Sequence, residues 1–168
     1  MILPINFKNW INDHRHLLKP PVGNKVVYED GDFMIMVVGG PNTRKDYHVD
    51  PIEEFFYQLD GDMLLKIIED GKPKDIPIKE GEIFLLPKFV PHSPQRFENT
   101  VGLVVEYKRE KGQLDVFQWY CDDCHTILHE VEVQLENIVK QLPPLFDAFW
   151  TNDKARTCNQ CSAYLEKP

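Results

Sequence analysis

Along the middle of this chain the apolar residues come in short runs separated by turn signals, and only towards the two ends do they recur at helical spacing. Between Val26 and Tyr120 the runs are Met34 to Val38, Phe55 to Leu59, Met63 to Ile68, Ile83 to Leu86, Gly102 to Tyr107 and Val116 to Tyr120. Each has the length of a strand. Asp30-Gly31, Asp60-Gly61 and Asp70-Gly71 lie between or beside them, and Asp-Gly favours tight hairpins because both central residues of a type I′ turn need positive φ. Many short strands at even spacing predict an all-β sandwich or barrel. Ahead of it, residues 1 to 18 read as a lead-in with a short amphipathic helix carrying Phe7, Trp10, Ile11 and Leu17, stopped by Lys19-Pro20-Pro21. Behind it, Thr126 to Leu142 carries Leu128, Val131, Leu135, Ile138 and Leu142 at helical spacing and predicts a helix ending at Pro143-Pro144. The expected organisation is a barrel with its lead-in over residues 1–118 and a small helical extension over 119–168.

Composition narrows the function. At 168 residues, 42% apolar and 27% charged, the chain can build one core plus a small appendage. A net charge of −8 argues against nucleic acid and anionic membranes, which both select basic surfaces; small molecules are the expected partners. No apolar run approaches the ~20 residues of a membrane span, and the N-terminus lacks the basic start and apolar core of a signal peptide, so a cytoplasmic address is expected. All four cysteines fall in the last third, where they cannot staple the main core, and a reducing compartment favours metal over disulfide.

The candidate chemistry starts from His48, Glu54 and His92. Two histidines and one carboxylate form a facial triad, which occupies one face of an octahedral metal and leaves the rest open, an arrangement suited to Fe(II) that holds both substrate and dioxygen. Side chains two and four apart share a strand face, so an extended Arg44 to His48 aligns Arg44, Asp46 and His48, and an extended His92 to Arg96 aligns His92 with Arg96. An arginine buried beside a metal is costly without an anion, and the pocket therefore asks for a carboxylate, best met by the planar fork of Arg96. Glu106, flanked by Val104, Val105 and Tyr107, needs a partner if buried. Each residue also has an ordinary reading. Single histidines are mostly surface or satisfied core residues, as His14, His16, His125 and His129 are taken to be; Glu53-Glu54 can be an acidic pair in a loop, and Arg44, Arg96 and Glu106 can be solvated. The conjunction of ligands with arginines favours the metal.

Cys121-x2-Cys124 and Cys158-x2-Cys161 are two knuckles whose thiolates can grip one tetrahedral metal, disulfides or free thiols being the alternative. With no open ligand position, such a metal is structural.

These residues carry a resemblance to the cupins. The second cupin motif reads Gly81, Pro87, Phe89, His92, with Phe89 departing from glycine, and the first reads His48, Asp50, Glu54, Gly61, with Asp50 in place of the second histidine. Among cupins, His48-x5-Glu54, Leu86-Pro87, Val90-Pro91-His92-Ser93-Pro94 and Arg96, with Leu17-Leu18-Lys19-Pro20-Pro21 and Val38-Gly39-Gly40-Pro41-Asn42, resemble the 3-hydroxyanthranilate 3,4-dioxygenase family from about residue 5 to the C-terminus. The resemblance implies a cupin jelly-roll barrel that opens the ring of 3-hydroxyanthranilate with dioxygen. It implies Fe(II) on His48, Glu54 and His92, the substrate carboxylate on Arg96, and a polar substituent of the ring on Glu106. Arg44 and Asn24 would handle dioxygen, Asp46 holding Arg44. The cysteines would form a rubredoxin-like site filled with a second iron, and the absence of a glycine after either knuckle leaves iron or zinc open there. A homodimer is implied too. A metal-dependent isomerase or epimerase, and a cupin that senses an aromatic acid without turnover, remain the alternatives.

Overall fold

A computed structural model describes residues 3–19, 23–28, 31–136 and 138–168, with the side chain of Val139 left aside. Its frame follows from alternation. In β4 (Glu54–Asp60) Glu54, Phe56 and Gln58 are buried, and in β5 (Met63–Glu69) Met63, Leu65 and Ile67 are, while their neighbours are less so; a strand buries one face at a period of two. Around them run β1 (Asn24–Tyr28), β2 (Phe33–Gly39), β3 (Asp46–Val49), β6 (Lys72–Ile78), β7 (Ile83–Leu86), β8 (His92–Arg96), β9 (Val101–Tyr107), β10 (Asp115–Tyr120) and β11 (Ile127–Val133). They form two antiparallel sheets, ordered β1-β2-β9-β4-β7 and β11-β10-β3-β8-β5-β6. The first strand of the chain opens one sheet and the third enters the other, so the strands shuttle between two layers as a jelly roll requires.

The core between the layers is Met36, Phe56, Met63, Leu65, Ile67, Ile78, Leu86 and Val104. Burial of each such side chain contributes roughly 1.5–3 kcal/mol. Helix α1 (Phe7–His14), capped by the Asn6 side chain accepting from the Asn9 N–H, lays Ile11 with Phe7 and Trp10 on Val37 and Val101 at the back of the first sheet. Asp70 and Gly71 both take positive φ, 51° and 72°, and join Glu69 to its partner Lys72, the two-residue hairpin expected of Asp-Gly. At Asp60-Gly61 only the glycine has positive φ, and the turn is a corner between sheets. Asp30, Pro20 and Pro21 lie outside the described residues.

The expected helix over Thr126 to Leu142 is corrected by the structure. Ile127–Val133 forms β11 and pairs with β10, and helix α2 is Ile138–Trp150 with both prolines inside it. Leu128, Val131 and Val133 pack with Phe117, Trp119 and Phe149; an irregularity at Trp119/Tyr120 brings Leu128 into that cluster. The β-branched residues of this segment suit an edge strand. Gln141 anchors the start of α2 by accepting from the Glu136 N–H and donating to the Gln134 carbonyl, and Leu142, Leu145, Phe146 and Phe149 seat the helix on the barrel. That packing outweighs the ~3 kcal/mol of an interior proline. A last short helix, α3 (Asp153–Arg156), precedes the second cysteine pair.

Candidate metal and substrate site

The two sheets deliver different chemistry to one cavity. On the second sheet His48 of β3 is the register partner of His92 of β8. On the first, Glu54 at the start of β4 stands opposite Glu106 of β9. A cavity of about 150 Å³ between them is lined by Asn24, Arg44, His48, Glu54, His92, Arg96, Glu106 and Arg109, with Met36, Phe56, Val104, Phe117 and Leu142 among its apolar walls. The sequence-derived site residues outside the cysteine pairs line this cavity, except Asp46, which pairs with Arg44.

Ligand atoms of His48, Glu54 and His92 lie within 4.8 Å of one another. His92 Nε2 is 2.9 Å and His48 Nδ1 3.6 Å from Glu54 Oε1, near the ~3 Å edge of an octahedron with bonds of about 2.1 Å. Each imidazole is aimed by its other nitrogen, His92 Nδ1 at the Val90 carbonyl, 3.0 Å, and His48 Nε2 at Asp115 Oδ1, 2.7 Å. Such outer partners fix the ring and its tautomer in metal sites. Burial acts to lower the pKa of His48, but its hydrogen bonds to the Asp115 and Glu54 carboxylates outweigh it and raise it to about 9. Burial likewise acts to raise Glu54, yet its two histidine neighbours bring it well below the usual carboxylate range. The three residues bring two imidazoles and one carboxylate to one point, a donor set that fits a divalent metal.

Arg96 is buried, and among the described residues its guanidinium has no carboxylate at ion-pair distance; it donates to Gln58 Oε1 at 3.3 Å. Burial lowers its pKa to about 10. A cation buried with so little compensation carries a desolvation cost. Arg44 differs: it forks onto Asp46, its guanidinium 6.0 Å from the Phe146 ring.

Sequence reasoning missed Arg109 and Asp115. Arg109 bonds to Glu106 Oε1 at 2.6 Å, Asp115 Oδ1 at 2.8 Å and Asp50 Oδ2 at 2.5 Å, and it is the partner that Glu106 requires. Even so, burial is the largest influence on Glu106 and, with the neighbouring Glu54 and Asp50 carboxylates, pushes its carboxyl up to about 8 against the pull of Arg109. Arg109 sits in the charged stretch Lys108-Arg109-Glu110-Lys111, which reads as a solvated turn. Its only local signal is the three-residue spacing from Glu106. Asp115 shares a face with Phe117 and Trp119, an alternation that could have placed it inward.

At the far end, the four cysteine sulfurs also lie within 4.8 Å of one another. Cys121 to Cys161 and Cys124 to Cys158 are each 3.5 Å apart, too far for S–S bonds and near the ~3.8 Å edge of a tetrahedron with 2.3 Å metal–sulfur bonds. No helix among the described residues is long and apolar enough to cross a membrane.

A two-sheet jelly roll that gathers two histidines and a glutamate around one point in its interior is a cupin of the metal-binding kind. The chain belongs to the 3-hydroxyanthranilic acid dioxygenase family, whose model matches residues 1–150. It is 59% identical over 157 residues to a 3-hydroxyanthranilate 3,4-dioxygenase from Jannaschia sp., covering 93% of this chain and 87% of that one. A protein of the same name from Ruegeria pomeroyi is 57% identical with the same coverage. Among solved structures, a cupin-2 domain containing protein from Shewanella frigidimarina aligns with 62% of this chain and 94% of its own at 22% identity and a TM-score of 0.48.

Proposed function

We propose that the protein opens the ring of 3-hydroxyanthranilate with dioxygen, giving 2-amino-3-carboxymuconate semialdehyde, which cyclises unaided to quinolinate. The observation that carries this reading is the pairing, in one cavity, of the cluster of two histidines and a glutamate with a buried arginine that lacks an anion among the described residues. His48, Glu54 and His92 would hold Fe(II). Bound there, the metal supplies open positions for substrate and dioxygen and a path for electron density between them. The other roles belong to the chain. Arg96 takes the substrate carboxylate in a bidentate pair, fixing the orientation of the ring in the cavity. Glu106, aimed by Arg109, hydrogen-bonds to a polar substituent of the ring. Phe56, Val104 and Phe117 enclose the ring and exclude water, which strengthens each charged contact. Arg44, steadied by Asp46, and Asn24 face the dioxygen side.

The four cysteines would hold a second iron or a zinc as a structural clip, and four free thiols suit a reducing, cytoplasmic setting. A homodimer is also part of the reading. Phe33, Tyr107, Leu85 and Ile83 are exposed on the outer face of the first sheet, and an apolar sheet face of this kind suits a self-complementary two-fold contact. Light scattering of the purified protein tests it. The isomerase reading is not favoured, since a buried arginine beside an oxygenase-type triad answers an aromatic acid more directly.

Anaerobic loading with Fe(II), followed by 3-hydroxyanthranilate and air, tests the activity. Oxygen uptake matched one for one by the near-ultraviolet absorbance of the semialdehyde is the expected result. Tight iron binding with neither signal would overturn it.

A further inference from the structure

Asp50 is the buried carboxylate that the proposed function leaves without a task. Its oxygens lie within 4.8 Å of ligand atoms of His48 and Asp115, and also of Glu54 and Glu106. A carboxylate beside two of the three triad residues can swing in as a further ligand of a metal held there unless something else holds it. Two contacts do. One oxygen accepts the Ile52 N–H at 2.9 Å, and the other accepts from Arg109 Nη2 at 2.5 Å. The Arg109 side chain is only 4% exposed, and the same planar fork reaches Glu106 and Asp115.

We propose that Arg109 is a positioning residue that keeps the site at three protein ligands: by tethering Asp50 it holds a second carboxylate, the would-be fourth ligand, off the metal and leaves the remaining positions open for a chelating substrate and dioxygen. This rests on the reading of His48, Glu54 and His92 as the metal triad. The five donors of a guanidinium sit in a fixed plane, so one residue can hold Asp50 while orienting Glu106 towards the substrate and, through Asp115, His48 towards the metal. A lysine cannot reach all of them. Without Arg109, the nearest strong cation for Asp50 is the metal itself. The shortage of open positions would then appear as weak substrate chelation and not as weak metal binding.

The test uses Co(II) as the probe metal, with the cysteine site first filled with zinc, and follows the visible absorption of Co(II) under argon as 3-hydroxyanthranilate is added. Arg109→Gln is expected to weaken and shift the Co(II) absorption, as an added ligand does, and to raise the substrate Kd about tenfold or more. Arg109→Gln with Asp50→Asn is expected to return the wild-type spectrum and part of the lost affinity, the share that Glu106 contributes staying lost, whereas a merely structural role for Arg109 would leave the double variant as impaired as the single one. An unchanged spectrum in Arg109→Gln, or a loss of affinity that Asp50→Asn does not relieve, overturns the proposal. Should Arg109→Gln fail to fold, Asp50→Asn alone decides: Co(II) affinity at the wild-type level supports a tethered non-ligand, and weakened Co(II) binding overturns it. Failure of the underlying triad is seen separately, as wild-type protein that takes no Co(II) beyond the zinc site or as His92→Ala that binds it equally well.

Discussion

Arg96 brings a charge into a wall that answers it with one side-chain amide. The resulting fall of its pKa from 12.5 to about 10 corresponds to about 3 kcal/mol of destabilisation, held in reserve for a ligand carboxylate. The sign follows from linkage. A base whose folded pKa lies below its unfolded one destabilises the fold at every pH under about 10, and the penalty fades only between about 10 and 12.5. Replacing Arg96 with Met is therefore expected to stabilise the metal-free protein at pH 7 by about 1–2 kcal/mol, a rise in Tm of several degrees, while raising the KM for 3-hydroxyanthranilate by about a hundredfold or more. Differential scanning calorimetry beside steady-state kinetics checks both, and a destabilised variant with unchanged KM would refute the assignment. In the native protein, the carboxylate contact made by Arg96 should be lost as pH rises through about 10, and substrate affinity should fall with it.

At the scale of elements, the site depends on what neighbouring strands leave out. Gly102 of β9 faces the Arg96–Gln58 pair, and a Cβ there would stand 2.5 Å from Arg96 Nη1 and 2.8 Å from Gln58 Oε1. Its φ lies outside the left-handed range, so Gly102→Ala acts by crowding and not by strain. Displacing the guanidinium by a fraction of an ångström should raise KM about ten- to a hundredfold while Fe(II) content stays near one per catalytic site; iron assay and initial rates on one preparation separate the two, and an unchanged KM would show that the guanidinium is free to relocate. The strands themselves are legible in the sequence because alternation and the Asp70-Gly71 turn are local signals. So are His48, His92 and Arg96, once strand periodicity sets them on one face. The segment after Trp119 is not, because Leu128, Val131, Leu135, Ile138 and Leu142 fit a helical period as well as they fit a strand, a connection and a helix in succession. Pairing with β10 decides the matter, and pairing is a long-range fact. Arg109 is hidden for the same reason: of its three carboxylate partners, Asp50 is 59 residues away along the chain.

Across the whole molecule, β10 ties the two candidate metal clusters together. Phe117 stacks on His48 with centroids 4.8 Å apart, Trp119 stacks on Phe149 of α2 at 4.3 Å, and Cys121 follows just beyond the strand, the three lying at alternate positions. The cysteine cluster closes a loop that runs from the end of β10 through β11, α2 and α3, next to Leu165 and the rings of Trp150 and Tyr164 against Arg156. A metal held by the four cysteines would add a covalent clip to the apolar packing of β11 and α2 on β10. Cys121→Ser, or chelation of this site, should therefore unfasten α2 first, because Phe146 and Phe149 lose the anchor that keeps them against Phe117 and Trp119. The expected outcome is a Tm lower by roughly 10 °C or more and fast hydrogen exchange in α2 and β11, with turnover per catalytic iron in the folded fraction reduced only about twofold, since His48 keeps Asp115 as its second anchor. Normal melting with abolished turnover would mean that the distal cluster acts on the catalytic metal directly, a role the stacked rings of β10 would then have to transmit.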